Sequence, residues 1–314
     1  MELRALQEAL EEFIFVAQAH TLGVIERLHR EPMSAGELAR AMGFDLRCAS
    51  ALLEGLAEMG YLAKRDQHYV VPADVAARLV DSQGDQYEGD FWRFLYYLLD
   101  PWRTLPAVLA TGRPDTESYR NFSIGDFIRA MNSPWKKRAV PEIVDRCLAR
   151  HPDARSVIDV GGAPGAVARE FAARGLQVCI YDLPESNAVL GRELAAVPGI
   201  SVADGDATKE FPDGVFDIAF LGNICHGQSV DDNARMIRMA RDRIAAGGII
   251  VIFDNIRGES YLGARLAMHM ITQSPGGNVY TRDEYFGWLA DAGFQSPAVE
   301  HLSDRAWQLI IARK

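Results

Sequence analysis

Apolar positions in the first hundred residues recur at helical spacing. Leu6, Leu10, Phe13, Ile14, Ala17, Thr21 and Val24 fall three or four apart and predict one buried helical face. Ser34-Ala-Gly-Glu37 has the form of a capping box and predicts a helix start, because Ser34 can satisfy an early backbone N–H while Glu37 reaches back. Another helix is expected near Asp45 to Met59, ending at Gly60, and the stretch from Tyr61 to Val71 reads as two short strands around a polar turn. Helix, turn, helix and hairpin together predict a winged helix. Residues 86–150 are rich in helix formers and aromatics, among them Phe91, Trp92, Phe94, Trp102, Phe122, Phe127 and Trp135, and are expected to bridge two domains and help wall a pocket.

From Ser156 the period changes. The short apolar runs Val157–Val160, Gln177–Tyr181, Ile200–Ala203, Phe216–Leu221 and Ile249–Phe253 alternate with helix-length segments, which predicts a doubly wound parallel α/β sheet. The chain then closes with a segment near Ala298–His301 and a run from Trp307 to Ile311, joined by a polar turn at Ser303-Asp-Arg305 and read as an antiparallel hairpin. The expected division is a helical winged-helix-like domain over 1–100, a helical linker over 101–150 and a ligand-binding domain over 151–314.

A length of 314 residues gives room for about two domains with their own cores. Cys48, Cys147, Cys179 and Cys225 lie far apart without a Cys-x-x-Cys pair, which argues against a zinc site and a secreted disulfide framework and fits a reducing cytoplasm. The N-terminus lacks a signal-peptide pattern, and no uncharged apolar run approaches the roughly 18 residues of a membrane span. The net charge of -10 is concentrated in residues 1–100, which hold 9 basic and 17 acidic side chains. The would-be recognition helix from Asp45 to Met59 carries one basic and three acidic residues, a poor partner for phosphate backbones, so a dimerisation role is expected instead of DNA reading.

Ligands of an open parallel sheet bind at the carboxyl ends of its strands, so the first strand-to-helix turn, Asp159-Val-Gly-Gly-Ala-Pro-Gly165, is the place to look. Gly161 and Gly162 carry no side chain to block approach, and Gly165 lets the next helix pack closely with its N-terminal N–H groups toward a ligand. The spacing departs from Gly-x-Gly-x-x-Gly, because alanine stands at 163 and 166, which weakens a pyrophosphate reading. Asp182, ending the second strand, is placed to accept from ribose hydroxyls, and Asp206, after the third, from an adenine amino group. A terminal hairpin after such a sheet points to S-adenosylmethionine (SAM).

Thr111-Gly-Arg-Pro114, Phe127-Ile-Arg-Ala-Met131, Asp159-Val-Gly-Gly162, Asp182-Leu-Pro184, Gly205-Asp206, Ile224-Cys-His226, Ala246-Gly-Gly248 and Ala292-Gly-Phe294 together resemble the plant-type and antibiotic-pathway small-molecule O-methyltransferases. The resemblance implies a class I SAM methyltransferase fold behind a winged-helix dimerisation domain, and a homodimer. It implies that Gly161 and Gly162 lie against the amino-acid part of SAM, that Asp182 takes the ribose, and that Asp206 and Ala207 border the adenine. It also implies that His226 is the catalytic base, oriented by Asp254. An unperturbed histidine titrates near pH ~6.5, which suits it to accepting a phenolic proton. Phe127, Met131, Met268 and His269 are expected along the acceptor pocket, with His269 as a polar contact and methionine as an adaptable apolar wall. His20 is expected to reach a partner's pocket.

The sequence departs from relatives at two places beside the base: Gly227-Gln228 stands where Asp-Trp often follows the histidine, and Val279-Tyr280 where Glu-Arg commonly precedes threonine. One of the family's two orienting acids is therefore missing. The leading expectation is methylation of a hydroxyl on a small aromatic or polyketide-like metabolite without a metal. C- or N-methylation, a SAM-binding enzyme catalysing a rearrangement or cyclisation, and a SAM-sensing regulator stay open.

Overall fold

A computed structural model of the chain describes residues 2–115 and 123–314; Phe122 and the side chain of Trp135 lie outside the described residues. The described residues form two compact units, one from the N-terminus to Leu99 with Arg129–Pro134, the other from Asp100–Ile128 and Trp135–Lys314.

In the first unit, helix α1 (Leu3–Thr21) stops where Gly23 takes φ +76°, and α2 (Val24–Arg30) starts after it. The expected single helix is thus two. Its buried face is also shorter than expected: Val16, Ala17 and Ala19 are buried, whereas Leu6 and Leu10 are about half exposed, because nothing else among the described residues covers the first turns. His20 faces inward with its Nδ1 2.9 Å from Glu26 Oε1, so it is a core residue and does not reach outward. Helix α3 (Ala35–Met42) opens on the capping box, with Ser34 N donating to Glu37 Oε2 at 2.8 Å. Asp45 caps α4 (Leu46–Glu58), and strands β1 (Ala63–Arg65) and β2 (His68–Val70) pair antiparallel, completing the winged helix. Helices α5 (Ala73–Leu79) and α6 (Gly89–Tyr97) follow, and Leu28, Leu38, Leu53, Leu56 and Leu79 fill the core.

Helices α7 (Leu99–Arg103), α8 (Leu105–Thr111), α9 (Ile124–Met131) and α10 (Pro134–Arg150) cover the stretch expected as a separate linker. Most of it belongs to the second unit, since Ile143, Val144 and Cys147 of α10 join the core on one sheet face. That unit continues as β3 (Ser156–Val160), α11 (Ala166–Ala173), β4 (Gln177–Asp182), α12 (Pro184–Ala195), β5 (Ile200–Asp204), β6 (Phe216–Gly222), α13 (Val230–Asp242), β7 (Ile244–Asp254), α14 (Gly263–Ile271), α15 (Arg282–Asp291), β8 (Gln295–His301) and β9 (Gln308–Arg313). The seven strands lie in the order β5-β4-β3-β6-β7-β9-β8. The first five of these are parallel; β9 runs antiparallel to β7 and β8 antiparallel to β9. This is the class I SAM methyltransferase fold.

Alternation along the central strands feeds two cores. Ile218, Phe220, Val251 and Phe253 pack on one face, and Ala219, Leu221, Ile250 and Ile252 on the other. Strand β7 begins five residues before the expected Ile249, since a register shift opposite Phe216–Ile218 absorbs the Ala246-Gly-Gly248 segment. Strand order reverses between the neighbours β3 and β6, which puts the glycine turn after β3 and the His226 turn after β6 at the same carboxyl-end crevice.

Candidate active site

At the end of β3, Gly161 takes φ +67° and its N–H donates to Tyr181 O at 2.8 Å. A Cβ on Gly161 would come within 3.2 Å of Ile224, two residues before His226, and one on Gly162 within 2.8 Å of the Asp159 carboxyl carbon. The turn is therefore closed to side chains from inside and leaves its outer surface as bare backbone. Asp182 is locked against it: Oδ2 accepts from Ala163 N at 3.1 Å and Oδ1 from Leu183 N at 2.8 Å, leaving further lone pairs on both oxygens.

Beneath the turn lies Asp159, which sequence reasoning quoted only as the start of the motif. It is 2% exposed, and its Oδ2 makes no hydrogen bond among the described residues. Burial, and then the negative charge of Asp182, push this carboxyl up to about 7. A buried carboxylate lacking a counter-charge beside an open glycine turn fits a cationic ligand. SAM carries both an ammonium and a sulfonium, so the residues present fit the group that the resemblance implies.

Beyond β5 the arrangement is less open than expected. Asp206 Oδ1 accepts from the Thr208 hydroxyl at 2.6 Å and from Thr208 N at 3.0 Å, and Oδ2 pairs with Lys209 Nζ at 2.9 Å. The Thr208 hydroxyl and then Lys209 hold its carboxyl below the usual range. Asp206 thus builds a turn of its own, and does not stand as an unengaged acceptor. Ala207 is buried in the core with Tyr181 and Phe211, and Gly205 leaves room for the Tyr181 ring.

Across the crevice, Asn223 leaves β6 with φ +56° while its N–H donates to Phe253 O at 2.8 Å. The chain then makes the 3₁₀ turn Cys225–Gly227. His226 Nδ1 lies 2.7 Å from Asp254 Oδ1, and His226 N donates to Asp254 Oδ2 at 3.2 Å. A carboxylate can only accept here, so Nδ1 carries the proton and Nε2 keeps its lone pair. Asp254 is fully buried and also accepts from Asn255 N at 2.8 Å. Tyr285 faces the same carboxylate from α15; its buried hydroxyl makes no hydrogen bond of ordinary geometry among the described residues, and burial together with the Asp254 charge keeps it well above the usual phenol range.

Groups that the sequence did not single out fix this pair. Buried Asn233 of α13 donates from Nδ2 to Cys225 O at 3.0 Å, and Gln308 Oε1 accepts from Ile256 N at 2.8 Å, two residues past Asp254. Val279 and Tyr280, at the position of the missing acid, are both buried. The Tyr280 hydroxyl donates to Gln228 O at 2.5 Å, Asn278 N to His226 O at 3.0 Å and the Ser274 hydroxyl to Gly227 O at 2.6 Å. The loop that follows α14 therefore holds the histidine turn by its backbone, where the resemblance implied a second carboxylate.

The expected acceptor residues are spread over two units. Phe127 and Met268 are largely exposed side chains of the second unit, on α9 and α14. Met131, one turn after Phe127, falls in the first unit and is half-buried. His269 is held by Trp102, whose indole Nε1 donates to His269 Nδ1 at 3.3 Å.

Residues 118–295 match the family model of the O-methyltransferase domain. The chain is 29% identical over 288 residues to the 3-hydroxy-5-methyl-1-naphthoate 3-O-methyltransferase of Streptomyces sahachiroi, with 86% of this chain and 82% of that protein covered. It is 23% identical to the S-adenosyl-L-methionine-dependent methyl transferase PigF of Serratia sp., covering 95% of this chain and 93% of the other. The crystal structure of human N-acetylserotonin methyltransferase in complex with SAM superposes with a TM-score of 0.80 at 19% identity, over 99% of this chain and 97% of that one.

Proposed function

Since this chain belongs to the O-methyltransferase domain family and is a SAM-dependent O-methyltransferase, we propose that it methylates a hydroxyl of a small aromatic or polyketide-like metabolite, with His226 as general base. The observation that carries this reading is the 2.7 Å contact between His226 Nδ1 and buried Asp254, which turns a basic Nε2 outward from a fixed ring. The naphthoate substrate named for the Streptomyces relative supports the acceptor class.

SAM, when bound, supplies a methyl carbon already activated by its sulfonium. The protein's own work is to align an acceptor and take its proton. Gly161, Gly162 and Asp182 would form the cofactor cradle, with the buried Asp159 carboxylate beneath it as counter-charge. His226 Nε2 accepts the hydroxyl proton as the acceptor oxygen gains the methyl group, and Asp254 stabilises the imidazolium through Nδ1–H. Phe127 and Met268 offer apolar surface to the acceptor. The enzyme works as a homodimer, a reading supported by the uncovered Leu3, Leu6 and Leu10 on α1, each about half exposed or more; the four widely spaced cysteines fit a reducing cytoplasm.

Replacing His226 with Ala tests the assignment. Release of S-adenosylhomocysteine should fall about 10²- to 10⁴-fold while SAM affinity stays within a few-fold. Unchanged turnover would remove His226 from the base role.

A further inference from the structure

Asp254 can accept more than the histidine turn gives it. Its two oxygens offer about four lone-pair sites, and three N–H groups fill all but one: Oδ1 accepts from His226 Nδ1 and Asn255 N, Oδ2 from His226 N. The fully buried Tyr285 hydroxyl faces this carboxylate from α15 and makes no hydrogen bond elsewhere among the described residues. The ring that carries it is fixed. The Thr281–Glu284 capping box sets the first turn of α15, where Tyr285 N donates to Thr281 O at 3.2 Å. The ring stands nearly perpendicular to Tyr280 at 6.2 Å and to Trp288 at 5.3 Å between centroids. Phenylalanine would fill the same space without an unpaired buried hydroxyl, so this hydroxyl costs stability and its effect lies on Asp254.

We propose that Tyr285 is a positioning residue for the base: its hydroxyl dipole, set against the carboxylate of Asp254, draws on that charge and limits how strongly Asp254 holds the protonated His226 ring. This rests on the general-base reading above. A second acid at Val279-Tyr280 would strengthen the hold on the imidazolium; a neutral hydroxyl acts in the opposite sense. A base serves best when its proton affinity lies near the working pH, because it must release the proton before the next cycle. The other titratable groups facing the pair keep one charge state between pH 5 and 8. Burial pushes the thiol of Cys225, on the histidine turn, well above its usual value; burial raises Tyr280 to about 12, with Asp232 and Glu284 as its charged neighbours; burial and then the charge on His226 take His269 on α14 down to about 4. Asp159, raised to about 7 by burial and then Asp182, lies under the glycine turn and is intact in each protein compared below.

Titration of the His226 ring by NMR in the full chain, saturated with S-adenosylhomocysteine, tests this without an acceptor; the signal is identified by its loss in His226→Ala. The titration midpoint should lie about half a unit higher in Tyr285→Phe than in wild type, part of what one net hydrogen bond would give. Tyr285→3-fluorotyrosine, a stronger donor of nearly the same shape, should move it lower. The thermal midpoint of Tyr285→Phe should not fall, since that variant loses only an unpaired buried hydroxyl. A purely structural tyrosine predicts the reverse, a lower thermal midpoint with an unmoved titration. An unmoved titration in Tyr285→Phe, shifts of the same sign in the two variants, or a Tyr285→Phe protein too unstable to titrate would overturn the proposal. Unchanged turnover in His226→Ala would sink the general-base reading separately and leave the measured midpoints as they stand.

Discussion

Replacing Asp254 with Asn keeps the shape of the site but removes its charge and one of its two accepting oxygens. The native carboxylate accepts three N–H groups: His226 Nδ1 at 2.7 Å and Asn255 N at 2.8 Å on Oδ1, and His226 N at 3.2 Å on Oδ2. An amide has one oxygen to offer. Placed at Oδ1, that oxygen keeps both shorter bonds and sets its NH₂ against the His226 N–H. In the flipped arrangement the NH₂ faces Nδ1, which shifts the ring proton to Nε2 and abolishes the base. The first arrangement loses one hydrogen bond and exchanges a charge-assisted bond to the imidazolium for a neutral one, a loss of about 2–4 kcal/mol in stabilising the protonated ring. That corresponds to roughly 30- to 10³-fold in kcat, with more if the ring flips. The assay is the rate of S-adenosylhomocysteine release at saturating SAM and acceptor, with SAM affinity measured in parallel. A folded Asp254→Asn protein with kcat within threefold of wild type would refute the reasoning.

Other consequences follow from single groups. Because Asp159 is raised to about 7, the folded protein retains a proton that the unfolded chain releases near 4; the resulting stability is fully present below that lower value and lost as pH rises through about 7. Thermal midpoints of the free protein should show Asp159→Asn gaining on wild type between pH 5 and 8. SAM should bind wild type roughly tenfold more weakly at pH 6 than at pH 8, as protonation removes the counter-charge, and a flat profile would separate Asp159 from the ligand's cation. Gly205→Ala drives a methyl into the Tyr181 ring, whose hydroxyl donates to Glu210 O at 3.0 Å; about 1–3 kcal/mol of stability should be lost, read as a midpoint lower by several degrees. Tyr280→Phe removes the bond to Gln228 O and should cost about 1 kcal/mol locally, seen as faster amide exchange over residues 225–228 and a kcat lower by a few-fold.

The sheet was legible because its strands are buried on both faces and read as short, continuous apolar runs, while the capping box and hairpin residues announced the winged helix. Periodicity marked a face at Leu6 and Leu10 that no described residue of this chain covers. A helical stripe reports that a face wants covering without saying what covers it, and a left-handed Gly23 interrupts a pattern that still counts three and four. At the site, Asp182 and the His226–Asp254 pair stand at strand ends, where position alone reveals them. Asp159 carried a signal too, an acid opening the glycine turn, but its orphaned oxygen is a property of burial. The engagement of Asp206 with Thr208 and Lys209 is a local turn that competes with any ligand role. Trp102 meets His269 across 167 residues, and Asn233 clamps the base turn from a neighbouring helix; neither juxtaposition leaves a trace in sequence spacing.

The reaction is defined by where the methyl group goes and which group takes the proton. Turnover with ¹³C-methyl-labelled SAM and a hydroxylated aromatic acceptor, followed by NMR of the product and quantitation of S-adenosylhomocysteine, measures both when wild type and His226→Ala are compared. The prediction is a label carried on oxygen, one S-adenosylhomocysteine per labelled product, and at least about a 100-fold loss in His226→Ala. A label on carbon or nitrogen, no S-adenosylhomocysteine, or equal rates for the two proteins would contradict it.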